Sequence, residues 1–125
     1  MKLRLLDDSI RLRLSQSDVL AAAEQGVVEG QTRFPDGSAF KFAIETVSAG
    51  SPGASFSGGR MVISLPSKQI SDWAKDDAAV SIHSELKLPD GALLQLLVEK
   101  DFKCLTGRPD EDQSDMFQNP GSGDC

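Results

Sequence analysis

A single histidine, His83, and two cysteines, Cys104 and Cys125, are all the chain has of the residues that most often hold transition metals. One histidine excludes any multi-histidine site. It leaves at most a mixed arrangement with Cys104 and the carboxylates Asp110, Glu111, Asp112 and Asp115, whose spacing follows no metal-ligand pattern. The acidic run DEDQSD also lacks the glycine and the terminal glutamate of an EF-hand loop. Absent too are G-x-x-x-x-G-K-[ST], G-x-G-x-x-G and G-x-S-x-G, which removes the common nucleotide-binding and hydrolase readings. Barrels of antiparallel strands that cleave triphosphates line their interior with glutamates and basic residues, whereas the inward rows deduced below are apolar. No cofactor and no metal are therefore expected, and no catalytic residue is assigned.

Long apolar runs are missing as well. Nothing approaches the roughly 20 residues needed to cross a bilayer, and the N-terminal MKLRLLDDSIRLRL interleaves charges with leucines where a signal peptide would be continuously apolar. These features predict a cytoplasmic protein without membrane contact, its thiols reduced. The 125 residues suit one domain with its own core. The net charge of −6 is unevenly spread. After Cys104 the acidic residues Asp110, Glu111, Asp112, Asp115 and Asp124 face one basic residue, Arg108, a net −4 that leaves −2 for residues 1–104. The expectation is one α+β domain over 1–105 and an acidic, flexible tail over 106–125.

What the chain does have is a pattern written twice. FPDGSAFKFAIE begins at Phe34 and LPDGALLQLLVE at Leu88, an offset of 54 that sets Val28 on Ile82, Phe40 on Leu94, Phe42 on Leu96 and Ile44 on Val98. Upstream the offset is 51, with Ile10 on Met61, Leu12 on Ile63, Leu14 on Leu65 and Val19 on Ile70. Repeat one spans 1–47 and repeat two 54–101, each reading strand, turn, strand, helix, strand, turn, strand. Leu3, Leu5, Ile10, Leu12 and Leu14 share a face only if Asp7-Asp8 is a two-residue hairpin loop. Ser15 with Asp18 spells a capping box, with Val19, Ala22 and Ala23 at helical spacing before a stop at Gly26. Pro66 and Ser67 open the second helix, which carries Ile70, Trp73 and Ala74.

In both PDG turns the alternation demands a three-residue loop with a left-handed glycine, pairing Thr32 with Phe40 and Leu86 with Leu94; a one-residue slip would split the core. The fold expected is two ββαββ repeats about a pseudo-two-fold. About eight short antiparallel strands would form a barrel or two packed sheets, with two short helices.

Positions where the repeats differ are the candidates for function. One face of the first hairpin carries Lys2, Arg4, Arg11 and Arg13, with Arg4 opposite Arg11, where the second repeat has Gly53, Ser55, Val62 and Ser64. Like charges paired across strands are unfavourable unless something offsets them. The stripe is either a solvated edge that deters aggregation or an anion receptor for the acidic tail, in cis or in trans, or for an external partner. Nucleic acid is not expected, because four basic residues without interleaved aromatics on a body of net −2 make a small footprint. The second difference is Leu93 and Leu97 where the first repeat has Ala39 and Ala43. They share a strand face with His83, Glu85 and Lys87, to be covered by 102–117 or by a second copy.

SIRLRLSQSDV near the start, and EKDFKCL followed by an acidic stretch and FQNP at the end, resemble a family of small uncharacterised bacterial proteins, a domain of unknown function. The resemblance covers most of the chain, implies a bacterial origin and implies no activity. The functional expectation is a non-enzymatic binding or assembly module engaging a protein partner or a second copy through the basic and the apolar hairpin faces. The alternative is a small enzyme or a metal- or ligand-binding protein with a site near His83, Cys104 and the acidic tail.

Overall fold

The computed structural model describes residues 1–102. Cys104, Leu105, Met116, Phe117, Cys125 and the acidic segment 106–125, with every expectation attached to them, lie outside the described residues. The elements are β1 (Lys2–Leu6), β2 (Ser9–Leu14), α1 (Gln16–Gln25), β3 (Val27–Arg33), β4 (Ala39–Val47), β5 (Gly53–Ser57), β6 (Arg60–Pro66), α2 (Ser67–Lys75), β7 (Ser81–Lys87) and β8 (Leu93–Lys100). The order β-β-α-β-β thus occurs twice.

Local chemistry sets each turn. Leu5 pairs with Ile10 and Leu3 with Leu12 around Asp7-Asp8, where Asp7 takes a left-handed φ of 47°. Both PDG loops have three residues. The Phe34 amide donates to Ser38 O at 2.8 Å and the Leu88 amide to Ala92 O at 2.8 Å, while Gly37 and Gly91 each adopt φ 91°. Positive φ is the reason glycine is needed there. Asp36 Oδ1 accepts from the Ser38 amide and hydroxyl, which holds its carboxyl below the usual carboxylate range. Thr32 faces Phe40 and Leu86 faces Leu94, as the alternation requires. The Ser15 hydroxyl accepts from the Asp18 amide and the Asp18 carboxylate from the Ser15 amide, completing the capping box of α1, and Gly26 ends that helix at φ 79°. Val19 and Ala22 are buried, whereas Ala23, expected inward, is exposed. On α2 the buried residues are Ile70 and Trp73.

The assembly of the hairpins departs from the all-antiparallel expectation. There are two four-stranded mixed sheets, ordered β1-β2-β8-β7 and β3-β4-β6-β5, not a closed barrel. Their central pairs, β2 with β8 and β4 with β6, are parallel. The chain reverses between β4 and β5, but β5 lies one position beyond β4's neighbour, and β6 returns into the gap beside β4. Alternation of side chains states which face a residue takes and is silent on the direction of the adjoining strand. Each sheet therefore joins one hairpin from residues 1–47 to one from 53–100.

A single buried cluster draws Ile10, Leu12, Leu14, Ile44, Ile63, Leu65, Leu96 and Val98 from the two sheets and Val19, Ala22, Ile70 and Trp73 from the helices. Leu5 and Phe56, on the inward rows, remain 54% and 62% exposed, with the Phe56 ring stacked on Phe40 at 5.8 Å. Inside the cluster Phe42 lies over Gly30, where an added Cβ would fall 2.6 Å from the ring. Gly30→Ala is expected to destabilise by about 1–2 kcal/mol through forced movement of a buried ring, measured as a drop in urea midpoint at unchanged slope. A neutral or stabilising result would contradict this packing.

Candidate functional site: one face of the β1-β2-β8-β7 sheet

The parallel register of β2 with β8 brings together two features that are remote in sequence. Across the outer face of this sheet one row reads Lys2, Arg13, Glu99 and Ser81, and the next reads Arg4, Arg11, Leu97 and His83. A third contains Leu6, Ser9, Gln95 and Glu85, and Leu93 pairs with Lys87 beyond it. The basic stripe and the Leu93/Leu97 pair are one surface, with Arg11 directly beside Leu97.

The same register explains how like charges tolerate being adjacent. Glu99 Oε1 accepts from Arg11 Nε at 2.7 Å and from Arg13 Nε at 2.9 Å, and Arg11 makes a second contact of 2.6 Å with that oxygen. All three side chains are largely shielded from solvent, Glu99 being 14% exposed. Lys2 Nζ pairs with Asp101 at 2.9 Å. The stripe is therefore partly neutralised by the end of the chain's own β8. Among the described ion pairs, Glu99 takes Arg11 and Arg13, and Asp101 takes Lys2. Of the stripe, Lys2 and Arg4 lie on the edge strand β1, whereas Arg11 and Arg13 lie on the inner strand β2. Leu97 is half-buried between Arg11 and His83, and Leu93 is exposed.

His83 is exposed, and its Nε2 lies 2.9 Å from Gln95 Oε1, while Gln95 Nε2 donates to Glu85 at 3.0 Å. These three side chains come from neighbouring positions of β7 and β8. Among the described residues no group of three or more His, Cys, Asp or Glu side chains converges as a metal site would require, and no helix is long and apolar enough to cross a membrane.

The outer face of the β3-β4-β6-β5 sheet is different in kind. Arg60 bridges Glu29 at 2.7 Å and Glu45 at 3.0 Å, contacts that raise its pKa above the ordinary value. Ala43, the counterpart of Leu97, is buried beside Val62. A further cavity of about 430 Å³ lies where the helices meet the end of β8, lined by Leu14, Val19, Leu20, Ala74, Lys100 and Phe102 among others. Neither Glu99 nor Asp101 was marked as functional by sequence. The alternation put Glu99 on the Leu97 face, and only the identity of the neighbouring strand was missing.

Comparison with known proteins agrees with an uncharacterised domain. The model of a family of unknown function (DUF7009) matches residues 1–121. The chain belongs to that family. In this DUF7009 member the match takes in both sheets, both helices and most of the segment beyond Phe102. No curated protein and no solved structure matches the sequence.

Proposed function

We propose that this DUF7009 protein is a non-enzymatic binding module whose contact surface is the outer face of the β1-β2-β8-β7 sheet. The observation that carries the reading is the Arg11–Leu97 adjacency created by parallel pairing. A face that sets arginines beside an apolar centre suits a protein segment that presents carboxylates beside an apolar side chain. A second copy of the chain is the other partner of that chemistry, since its acidic segment, residues 106–125, supplies both. His83 is committed to Gln95 on an open face, which favours binding over the catalytic alternative with Cys104. Nucleic acid remains disfavoured by the small cationic footprint. We further infer that the fold arose by internal duplication. Advancing each strand number of one sheet by four yields the order of the other, read in reverse. A bacterial cytoplasmic setting is proposed on the family resemblance alone.

The test is a crosslinking pulldown from the native cell using the full chain and an Arg4→Gln, Leu97→Ser variant. Both changes leave the core intact, so the melting curve is expected to hold while the crosslinked partner, or the dimer seen by sedimentation, is lost. Retention of every interaction by a folded variant would remove the proposal.

A further inference from the structure

Four strands border the two sheets, and they differ in what they offer a neighbour. The edges β1 and β5 have 5 residues each, β3 and β7 have 7. In β7 the phase of the ladder is set at both ends, where the Leu88 amide donates to Ala92 O at 2.8 Å and the Lys100 amide to Val80 O at 3.0 Å. Even-numbered residues therefore bond β8, and Ser81, His83, Glu85 and Lys87 direct their amides and carbonyls to the open edge. Among the described residues β5 of the other sheet does not pair with this edge. A groove of about 580 Å³ separates the two, lined by Pro52, Gly53, Ala54, Ser84 and Leu86 among others.

We propose that β7 pairs antiparallel with β7 of a second copy about a two-fold axis at Ser84, joining two four-stranded sheets into one continuous sheet. Outward residues must meet outward residues, so the axis passes through a residue and not between two. An axis at His83 would set that ring against its own copy, and one at Glu85 would set carboxylate against carboxylate. Axes further along run off the strand, into Pro89, which has no N–H, or into the 76–80 connection. With the axis at Ser84, His83 lies opposite Glu85 of the second copy, Ser81 opposite Lys87, and Ile82 opposite Leu86, each twice. Polar meets polar on the outer face and apolar meets apolar on the inner one, with about eight backbone hydrogen bonds between the copies. Val80, 47% exposed, comes opposite Leu88. Gln95 takes one nitrogen of the His83 ring and one oxygen of Glu85, and the other nitrogen and oxygen carry the contact across the axis. The equally long edge β3 is less suited, because Glu29 is held by Arg60 at 2.7 Å and Gly30 leaves its middle without a side chain. An axis of this kind is normal to the sheet, so the Arg11–Leu97 surfaces of both copies lie on one side of it. The pairing itself does not depend on the partner proposed for that surface.

The experiment is sedimentation equilibrium of the full chain and of its His83→Glu, Glu85→Lys and doubly substituted forms, with amide exchange followed by NMR at low and high protein concentration. The wild type is expected to dimerise as it is concentrated from micromolar to millimolar, since a contact of one strand is small. Either single change removes the opposed pairing at both of its sites, and His83→Glu sets carboxylate against carboxylate. Each is expected to weaken the dimer about tenfold, and the double change, which exchanges the two roles, to restore it. Both residues are exposed, so the melting temperature is expected to hold throughout. The amides of His83 and Glu85 are expected to exchange more slowly in the dimer, and that of Gln31 on the β3 edge to be unchanged. A monomer at every concentration, a dimer indifferent to the single changes, a double variant as weak as the single ones, or slowing at Gln31 in place of His83 would overturn the edge pairing. Each of those results leaves the Arg11–Leu97 surface to its own test.

Discussion

Replacing Trp73 with alanine is expected to cost about 4 kcal/mol. Trp73 is 4% exposed and is one of only two buried side chains on α2, a helix of nine residues. A helix this short has little stability of its own and relies on its packed face. The indole also ties together three segments. Its Nε1 donates to Val80 O at 3.2 Å, the carbonyl that also receives the Lys100 amide, and Lys100 Nζ lies 5.5 Å from the ring centroid. Removing the ring opens a cavity between α2, the 76–80 connection and β8. Val80 O keeps its backbone donor, so the loss is chiefly packing. Trp73→Phe retains most of the volume and should cost about 1–2 kcal/mol, mainly the lost N–H contact and some fit. Urea unfolding of the two variants checks the ordering. Equal losses, or a loss below about 1 kcal/mol for alanine, would contradict it.

Glu99→Gln is the second large effect, expected at about 2–3 kcal/mol. One carboxylate oxygen holds two guanidinium groups whose side chains are 20% and 14% exposed. Without the carboxylate, Arg11 and Arg13 face each other across a poorly solvated gap, and an uncompensated cation at such a site is costly. Residual solvent access places the figure below that of a fully buried pair. The cause can be separated from simple side-chain loss by adding Arg11→Leu. One cation then remains, and part of the stability returns, a non-additive outcome that a double-mutant cycle detects. Additive losses would mean that the three side chains act independently.

The elements were legible because their determinants are local. The capping box at Ser15 and Asp18, the glycine at position 26 and the three-residue loops at Asp36-Gly37 and Asp90-Gly91 each satisfy neighbouring backbone groups, and all of them form as their spacing dictates. Inward and outward rows were legible for the same reason, since a strand's period is two. Sheet assembly was not. Which hairpin lies beside which depends on the connection between β4 and β5 and on contacts nearly 90 residues apart, such as Arg11 with Glu99. Consequently the candidate residues Lys2, Arg4, Arg11, Arg13, Leu93 and Leu97 could be read as two separate patches, whereas parallel pairing makes them one. The neutralising role of Glu99 was hidden by the same gap. Exposed inward residues such as Leu5 and Phe56 show the limit of alternation, which gives the direction of a side chain without the extent of its cover.

The most direct test of the account is site-specific photocrosslinking in living cells from two positions of the full chain. A photoreactive phenylalanine derivative would replace Leu97 on the proposed surface, and separately Lys41 on the outer face of the other sheet. A crosslinked protein or a crosslinked second copy from position 97, with none from position 41, is the predicted result. Equal crosslinking from both positions, or crosslinking from position 41 alone, would contradict the assignment of binding to the face that Arg11 and Leu97 share.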